Sequence, residues 1–561
     1  MVYFVFHARA AGDFNGDVEF HGNLSLTVFL LFSVTLGAPE SYLLYRARYA
    51  LKMRFRQTLR SHPTRRTVLF SLVPLATLAA CAREQQPEQS PQNTAESAAP
   101  ETSATAPEFP QLQKLLADRA GTHRSALVTH TDGNMVYGEG ENEPRAAASA
   151  MKVLTYLALA HSIDLGTRFK TSVARNGNEL TLIAGGDTML GAGDSKKDAV
   201  NGYAGLGTLA GACIESLRSA KTEKGKFPVF LDTSIYTGPE LNPGWEKPDI
   251  DSGQITGISP IALDSHTIAG KSGPYGTPAR PTDAASAAQQ AFVDALNKAG
   301  EPHGYSFERK DKRTKPSDAT EIASVESATA LQQAQHMMLE SDNTLAEALT
   351  RNAAIAAGRQ GSAEEAQKLV REKIEAAGVT TEHLKQADVC GLSLENRVTA
   401  RMLVQALAKL LEHPRHEELL QGLPVAGKTG TLKERFTEPD AVDARGHVRA
   451  KTGTLFTVVA LAGYTTRPDG TRLIFALILN DTDSIGGLPQ AKKVADAAAA
   501  VISDRAPKPS PSPSDSSHSA GEHSPSESAK PAESPKATDT SISNAPVTLA
   551  PAGEPAPTEG K

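Results

Sequence analysis

The sequence predicts an α/β (α+β) chain whose main domain is one mixed sheet with helices on both faces, broken by inserted domain material. Three observations lead there. Strand-like apolar runs sit at the two ends of the globular stretch, at 125–130 and 135–137 early and at 456–464 and 473–480 late. Helical patterns flank both sets, at 111–120, 149–160 and 491–502. About 400 residues of ordinary globular composition separate two polar segments, too many for one small core. Strands contributed by both ends of such a stretch are accommodated by a single sheet that the two termini of the domain complete.

Each element has a local reason. Segment 125–130 (SALVTH) is short and partly apolar, Asp132-Gly133-Asn134 is a turn signal, and 135–137 returns as the second strand. Late in the chain, FTVVALAGY (456–464) and LIFALILN (473–480) are strands joined through Arg467-Pro468-Asp469-Gly470. On this pattern 108–190 and 336–505 form the main domain and 191–335 the insertion. Residues 82–107 are polar and rich in Pro, Ser and Ala, which makes them a flexible linker, and 506–561 form a disordered tail of the same character.

The N-terminus carries an export pattern. In 64–81 (TRRTVLFSLVPLATLAAC), Arg65 and Arg66 precede an apolar run that ends in small residues, the order of a secretory signal. The run is too short to span a bilayer, which needs about 20 apolar residues. The arginine pair resembles a twin-arginine signal. Leu78-Ala79-Ala80-Cys81 resembles a bacterial lipobox, with Cys81 as the lipidated residue; an ordinary cleaved signal is the alternative. Residues 1–63 form an extension with a second apolar run at 24–36. That run is either a membrane segment or part of an overlong start, with Met53 as the initiator. The expected location is outside the cytoplasm, anchored to the membrane through Cys81 and facing the cell wall.

Composition narrows the function classes. A net charge of -6 carries no nucleic-acid footprint. The three cysteines, Cys81, Cys213 and Cys390, are too few for a disulfide scaffold, and none lies in a CxxC pair. No metal site or cofactor is expected.

Three short motifs carry chemistry. Ser149-Ala150-Met151-Lys152 places a hydroxyl and an amine three residues apart on a helix, on neighbouring faces roughly 5–6 Å apart at Cβ. A lysine of ordinary pKa is a poor base at neutral pH, but burial and a second cation lower it; the pattern alone is common by chance. Ser341-Asp342-Asn343 precedes a helical run and sets a hydroxyl and a carboxamide toward one cleft; by itself it is equally a helix N-cap. Lys451-Thr452-Gly453, followed by Thr454 and an apolar strand, offers a cation, a hydroxyl and a close-approach glycine. A second copy, Lys428-Thr429-Gly430, leads into charged residues instead of a core strand, so the site role falls to Lys451. The order SxxK, SDN, KTG is that of penicillin-binding proteins and class A β-lactamases.

Between about 109 and 500 the chain also resembles the penicillin-binding protein 4 type, the D-alanyl-D-alanine carboxypeptidase/endopeptidases. The resemblance rests on 182–188 (LIAGGDT), 231–234 (LDTS), 242–245 (NPGW), Ala346-Glu347 after Asn343, 391–393 (GLS) with 396–399 (NRVT), 423–427 (LPVAG) with 430–432 (GTL), and 448–455 (VRAKTGTL). The long gap between Lys152 and Ser341 matches that family's inserted domains. Two positions depart from it: Cys390 stands where the family has serine, and Thr429 where it has aspartate. Cys390 and Cys213 either pair or remain separate buried thiols.

The resemblance implies a penicillin-binding/β-lactamase-like transpeptidase fold and hydrolysis of peptidoglycan stem peptides through an acyl-enzyme on Ser149. It implies Lys152 as base, Ser341 and Lys451 as proton relay, and Asn343 as the peptide-positioning residue. Thr452, Gly453 and Thr454 would bind substrate, and β-lactam antibiotics would act as covalent inhibitors. A β-lactamase or related serine esterase, or a non-catalytic wall-binding protein, are the other readings. Against the first, Pro239-Glu240-Leu241-Asn242 precedes Ser341 and has Gly238 where a deacylating glutamate would stand.

Overall fold

The computed structural model describes residues 109–274 and 277–507. The expected signal with Cys81, the linker, the run at 24–36 and nearly all of the tail lie outside the described residues. Numbering only the longer helices, the order is α1 Pro110–Arg119, β1 Arg124–His130, β2 Met135–Glu139, α2 Lys152–Ala160, β3 Arg168–Asn176, β4 Glu179–Ile183, α3 Leu206–Ser219 and β5 Gly225–Asp232. Then come α4 Ala284–Gly300, β6 Tyr305–Lys312, β7 Thr320–Thr329, α5 Ala330–Glu340, α6 Asn343–Ala356, α7 Ala363–Ala376 and α8 Ala400–Glu412. The chain closes with β8 Val448–Leu455, β9 Val458–Thr466, β10 Arg472–Asn480 and α9 Gly487–Ile502.

Strands from both chain ends form one sheet in the order β2-β1-β10-β9-β8. Its central strand explains why LIFALILN is apolar throughout rather than alternating. Leu473, Phe475, Leu477 and Leu479 pack in one core with α1 and α9. Ile474, Ala476 and Ile478 pack in another with α2 and α5 to α8. Both faces of the strand are covered, so both sets of alternate side chains are apolar.

Two details differ from expectation. Every pairing in this sheet is antiparallel; the mixed sheet is a second one, β6-β5-β4-β3-β7, in which β4, β5 and β6 run parallel. That second sheet recruits β3 and β4, which the sequence had grouped with the main domain before residue 190. Val173, Leu180 and Leu182 from these strands share a core with α3 and α4, including Cys213 and Phe292. The reason is local: Gly177 and Asn178 turn β3 into β4, and the pair has its apolar partners in the insertion. Both Cys213 and Cys390 are free and buried, in different cores, so the pairing alternative is not realised.

Phe475 is fully buried under α1 and α9. We predict that Phe475→Ala lowers the unfolding free energy by about 3–5 kcal/mol in urea titrations; a loss well under 1 kcal/mol would mean that this core is not packed as described.

Candidate active site

The site assembles where α2, the α5–α6 junction and β8 meet. Ser149 lies on a 3-10 turn, Ala148–Met151, which runs directly into α2 at Lys152. The α-helix expected from 149 therefore begins three residues later. The tighter turn still brings Lys152 Nζ to 3.0 Å from Ser149 Oγ. Two glycines let this turn seat. A Cβ on Gly453 would overlap the Ala147 carbonyl oxygen, and one on Gly391, where φ is +85°, would overlap that of Ala148.

The SDN triplet divides its labour. Helix α5 ends at Glu340, and Ser341 follows in the left-handed conformation (φ 59°). Asp342 is the N-cap of α6, accepting from Leu345 N at 3.0 Å. Because the middle residue caps, its neighbours face the cleft. Ser341 Oγ accepts from Lys451 Nζ at 2.8 Å. Asn343 Oδ1 accepts from Lys152 Nζ at 2.6 Å, while its Nδ2 donates to Gln254 O at 3.1 Å.

Lys152 is completely buried, and its Nζ also donates to the Cys390 carbonyl at 2.7 Å. Two of its three partners, Asn343 Oδ1 and Cys390 O, can only accept. A neutral amine has two N–H groups and one lone pair. Satisfying both acceptors spends the N–H groups and leaves the lone pair for the Ser149 hydroxyl. Electrostatics favour this form: burial lowers the Lys152 pKa from its usual 10.5, opposed in part by Cys390, Asp388, Asp342 and Glu347. Lys451, also fully buried, is held well below its usual value by burial and then by Lys152.

Strand β8 supplies the cleft's floor. Ala450 N donates to Pro424 O and Val448 O accepts from Ala426 N, so the even-numbered residues of β8 turn their backbone groups away from β9. By alternation, the Thr452 and Thr454 N–H groups face the cleft. The cleft encloses about 300 Å³. Ser149, Ser341, Asn343 and Gln254 line it, with Thr452, Thr454, Thr431, Arg435 and Lys492.

All the sequence-derived residues among those described, Ser149, Lys152, Ser341, Asn343, Lys451, Thr452, Gly453 and Thr454, converge here. Others had been given no role in the site. Asp388 organises the loop beneath Lys152, accepting from Gly391 N, Ser393 N and Asn396 Nδ2 at 2.7 Å each and from Trp245 Nε1 at 3.1 Å. Glu347 Oε1 accepts from Val389 N at 3.0 Å and Cys390 N at 3.1 Å. Burial and Asp388 push Glu347 up to about 7. Burial also raises the Cys390 thiol well above its usual value, so it stays protonated. Together Glu347, Asp388 and Cys390 form the one buried cluster of ligand-type atoms among the described residues, and its carboxylates are already committed to loop N–H groups. The set-aside copy at 428–430 also contributes: it is no strand but leads into the 3-10 turn Gly430–Leu432, in which Thr431 Oγ1 lies 2.8 Å from Thr452 Oγ1.

The profile of the D-Ala-D-Ala carboxypeptidase 3 (S13) family matches residues 110–299 and 268–502. The chain belongs to this family. Membership makes it an enzyme, a D-Ala-D-Ala carboxypeptidase. The carboxypeptidase is 34% identical over 384 residues to "Carboxypeptidase DacB" of Mycolicibacterium smegmatis, covering 67% of this chain and 79% of the relative. It is 27% identical over 449 residues to a D-alanyl-D-alanine carboxypeptidase of Actinomadura sp. strain R39, covering 68% and 81%. Its fold matches the crystal structure of penicillin binding protein 4 (dacB) from Haemophilus influenzae with a TM-score of 0.53 and 20% identity, over 66% of this chain and 93% of that one.

Removing the Glu347 carboxylate would strand the Val389 and Cys390 N–H groups in a buried loop. We predict that Glu347→Ala costs about 2–4 kcal/mol of stability. Thermal unfolding checks this, and an unchanged midpoint would show that the loop amides find other partners.

Proposed function

We propose that this carboxypeptidase works through an acyl-enzyme on Ser149. The observation that carries the reading is the buried Lys152 amine, whose two acceptor partners leave its lone pair to the Ser149 hydroxyl. Lys152 takes the hydroxyl proton as Ser149 Oγ bonds to the carbonyl carbon of the penultimate D-alanine. Negative charge collects on the carbonyl oxygen, where the Ser149 and Thr454 N–H groups receive it; one such donor contributes about 3 kcal/mol. The C–N bond then breaks, and the departing amine takes the proton that Lys152 received, relayed along Lys451 and Ser341, which are 2.8 Å apart, so that Lys152 is neutral again. Asn343 holds the donor peptide, and Thr452 with Lys451 receives the terminal carboxylate. With Lys152 neutral again, water gives it a proton while bonding to the ester carbonyl carbon, and that proton passes to Ser149 Oγ as the ester C–O bond breaks. A β-lactam presents its ring amide to the same hydroxyl and is held as the acyl-enzyme, because its leaving amine stays tethered.

The substrates under this reading are peptidoglycan stem peptides, reached outside the cytoplasm. We place the enzyme at the membrane through a lipid on Cys81; among the described residues no helix is long and apolar enough to cross a membrane. Cys81→Ser should shift the protein from the membrane fraction to the soluble fraction, and unaltered membrane retention would remove the lipid from this account.

Ser149→Ala should abolish covalent labelling by a fluorescent penicillin, and a persistent covalent band would refute Ser149 as the nucleophile. Acylation needs neutral Lys152. Because burial lowers its pKa, the neutral form persists to lower pH than for a free lysine. The rising limb of the acylation pH profile should therefore sit below 10.5. Lys152→Arg, which cannot lose its proton, should cut the acylation rate by about 10²–10⁴. An acylation rate with no rising limb below 10.5 would exclude Lys152 as the base.

A further inference from the structure

The direction of the Asn343 side-chain amide decides what Lys152 can do. With Oδ1 toward Lys152 Nζ, at 2.6 Å, the amide accepts, and the lysine lone pair stays with Ser149. Turned over, Nδ2 would donate to that lone pair and take it from the hydroxyl. The group that selects the first direction is a backbone carbonyl of the insertion: Gln254 O accepts from Asn343 Nδ2 at 3.1 Å.

Arg280 grips the peptide next to that carbonyl. Its guanidinium joins two separate stretches of the insertion to the first turn of α6. Nε donates to Gly253 O, one residue before Gln254, at 2.6 Å. Nη1 donates to Ser265 O at 3.0 Å, to His266 O at 3.3 Å and to Thr344 Oγ1 at 3.4 Å. Thr344 Oγ1 in turn donates to Oδ1 of Asp342, the cap of α6, at 2.8 Å. Burial raises the Asp342 carboxyl, and Arg280, with the hydrogen bonds to the cap, more than offsets this and holds it below its usual value.

The insertion is strained where it meets Arg280. Asp264, Ser265 and His266 are three successive non-glycine residues with φ of 47°, 53° and 60°. L-residues enter this region singly rather than in runs. Such a stretch persists where its surroundings over-determine it. Here the run turns two successive carbonyls onto Arg280 Nη1 and sets the Ser265 hydroxyl 3.0 Å from that of Thr344.

We propose that Arg280 is a positioning residue for acylation: it locks the Gln254 carbonyl to the start of α6 and so fixes the Asn343 amide with its oxygen toward Lys152. Arg280 does not line the cleft and acts from behind it. The inference rests on the reading of Lys152 as the base.

The test is the acylation rate at saturating fluorescent penicillin, taken per molecule that labels, so that a partly unfolded variant is still read on its folded fraction. Arg280→Lys keeps a positive charge facing Asp342, but one ammonium does not span Gly253 O and the Ser265 and His266 carbonyls as the planar fork does. It should slow acylation about tenfold, and Arg280→Ala about a hundredfold. Should Arg280→Ala yield no labelled fraction, Arg280→Lys decides. Asn343→Ala should also slow acylation, and adding Arg280→Lys to it should slow the reaction no further, because both act through one amide. A purely structural role would lower the thermal midpoint and the labelled fraction while leaving the rate per labelled molecule unchanged. A parental rate in Arg280→Lys, or slowing that multiplies in the double variant, would overturn the proposal. Parental acylation by Asn343→Ala would instead remove the amide from the account of Lys152 as base, so the two failures are distinguishable.

Discussion

The structure depends on one buried amine. Lys152 Nζ is saturated by Ser149 Oγ, Asn343 Oδ1 and the Cys390 carbonyl, groups from three distant stretches of chain. An uncompensated cation in such a place is costly. The arrangement offsets that cost in two ways: acceptors surround the nitrogen, and burial lowers the pKa, which makes the proton easier to give up. The second lysine, Lys451, sharpens the effect, since two adjoining buried amines cannot both hold a charge cheaply.

What keeps the amine in register is mostly backbone. The loop around Cys390 is fixed from below by Asp388 and Glu347, whose oxygens collect its N–H groups. Trp245, from the NPGW stretch, ties the insertion to the same carboxylate. The replacement of a family serine by Cys390 is tolerated because the contact with Lys152 is made by the main-chain carbonyl, and the thiol is fully enclosed.

Much of this was legible in the sequence. Ser149 and Lys152 are three residues apart, close enough for contact on either a 3-10 or an α turn, so the motif survived an error in the element. Strands β1, β2, β9 and β10 were readable because their apolar runs are bounded by Gly, Pro and Asp turns. The SDN triplet read equally as a helix N-cap, and its middle residue Asp342 is the one that caps, which is why Ser341 and Asn343 are free to face the cleft. The misassigned part was β3 and β4: nothing in a short apolar hairpin tells which sheet will pair with it. Thr431, Arg435 and Lys492 were invisible for a related reason. They become a wall only when α9 packs against β8, and a charged stretch after the duplicate triplet reads as ordinary surface.

Strand β8 is the last strand of its sheet, and such an edge invites other chains to pair with it. Here residues 424–426 already bond its first half, through Pro424 O and Ala426 N. Only the stretch around Thr452 and Thr454 remains open, and it opens into a walled cleft rather than onto a flat face. A single extended peptide fits such a gap; the edge of a second folded copy does not. The enzyme thereby keeps unpaired backbone at the surface without becoming a template for its own aggregation.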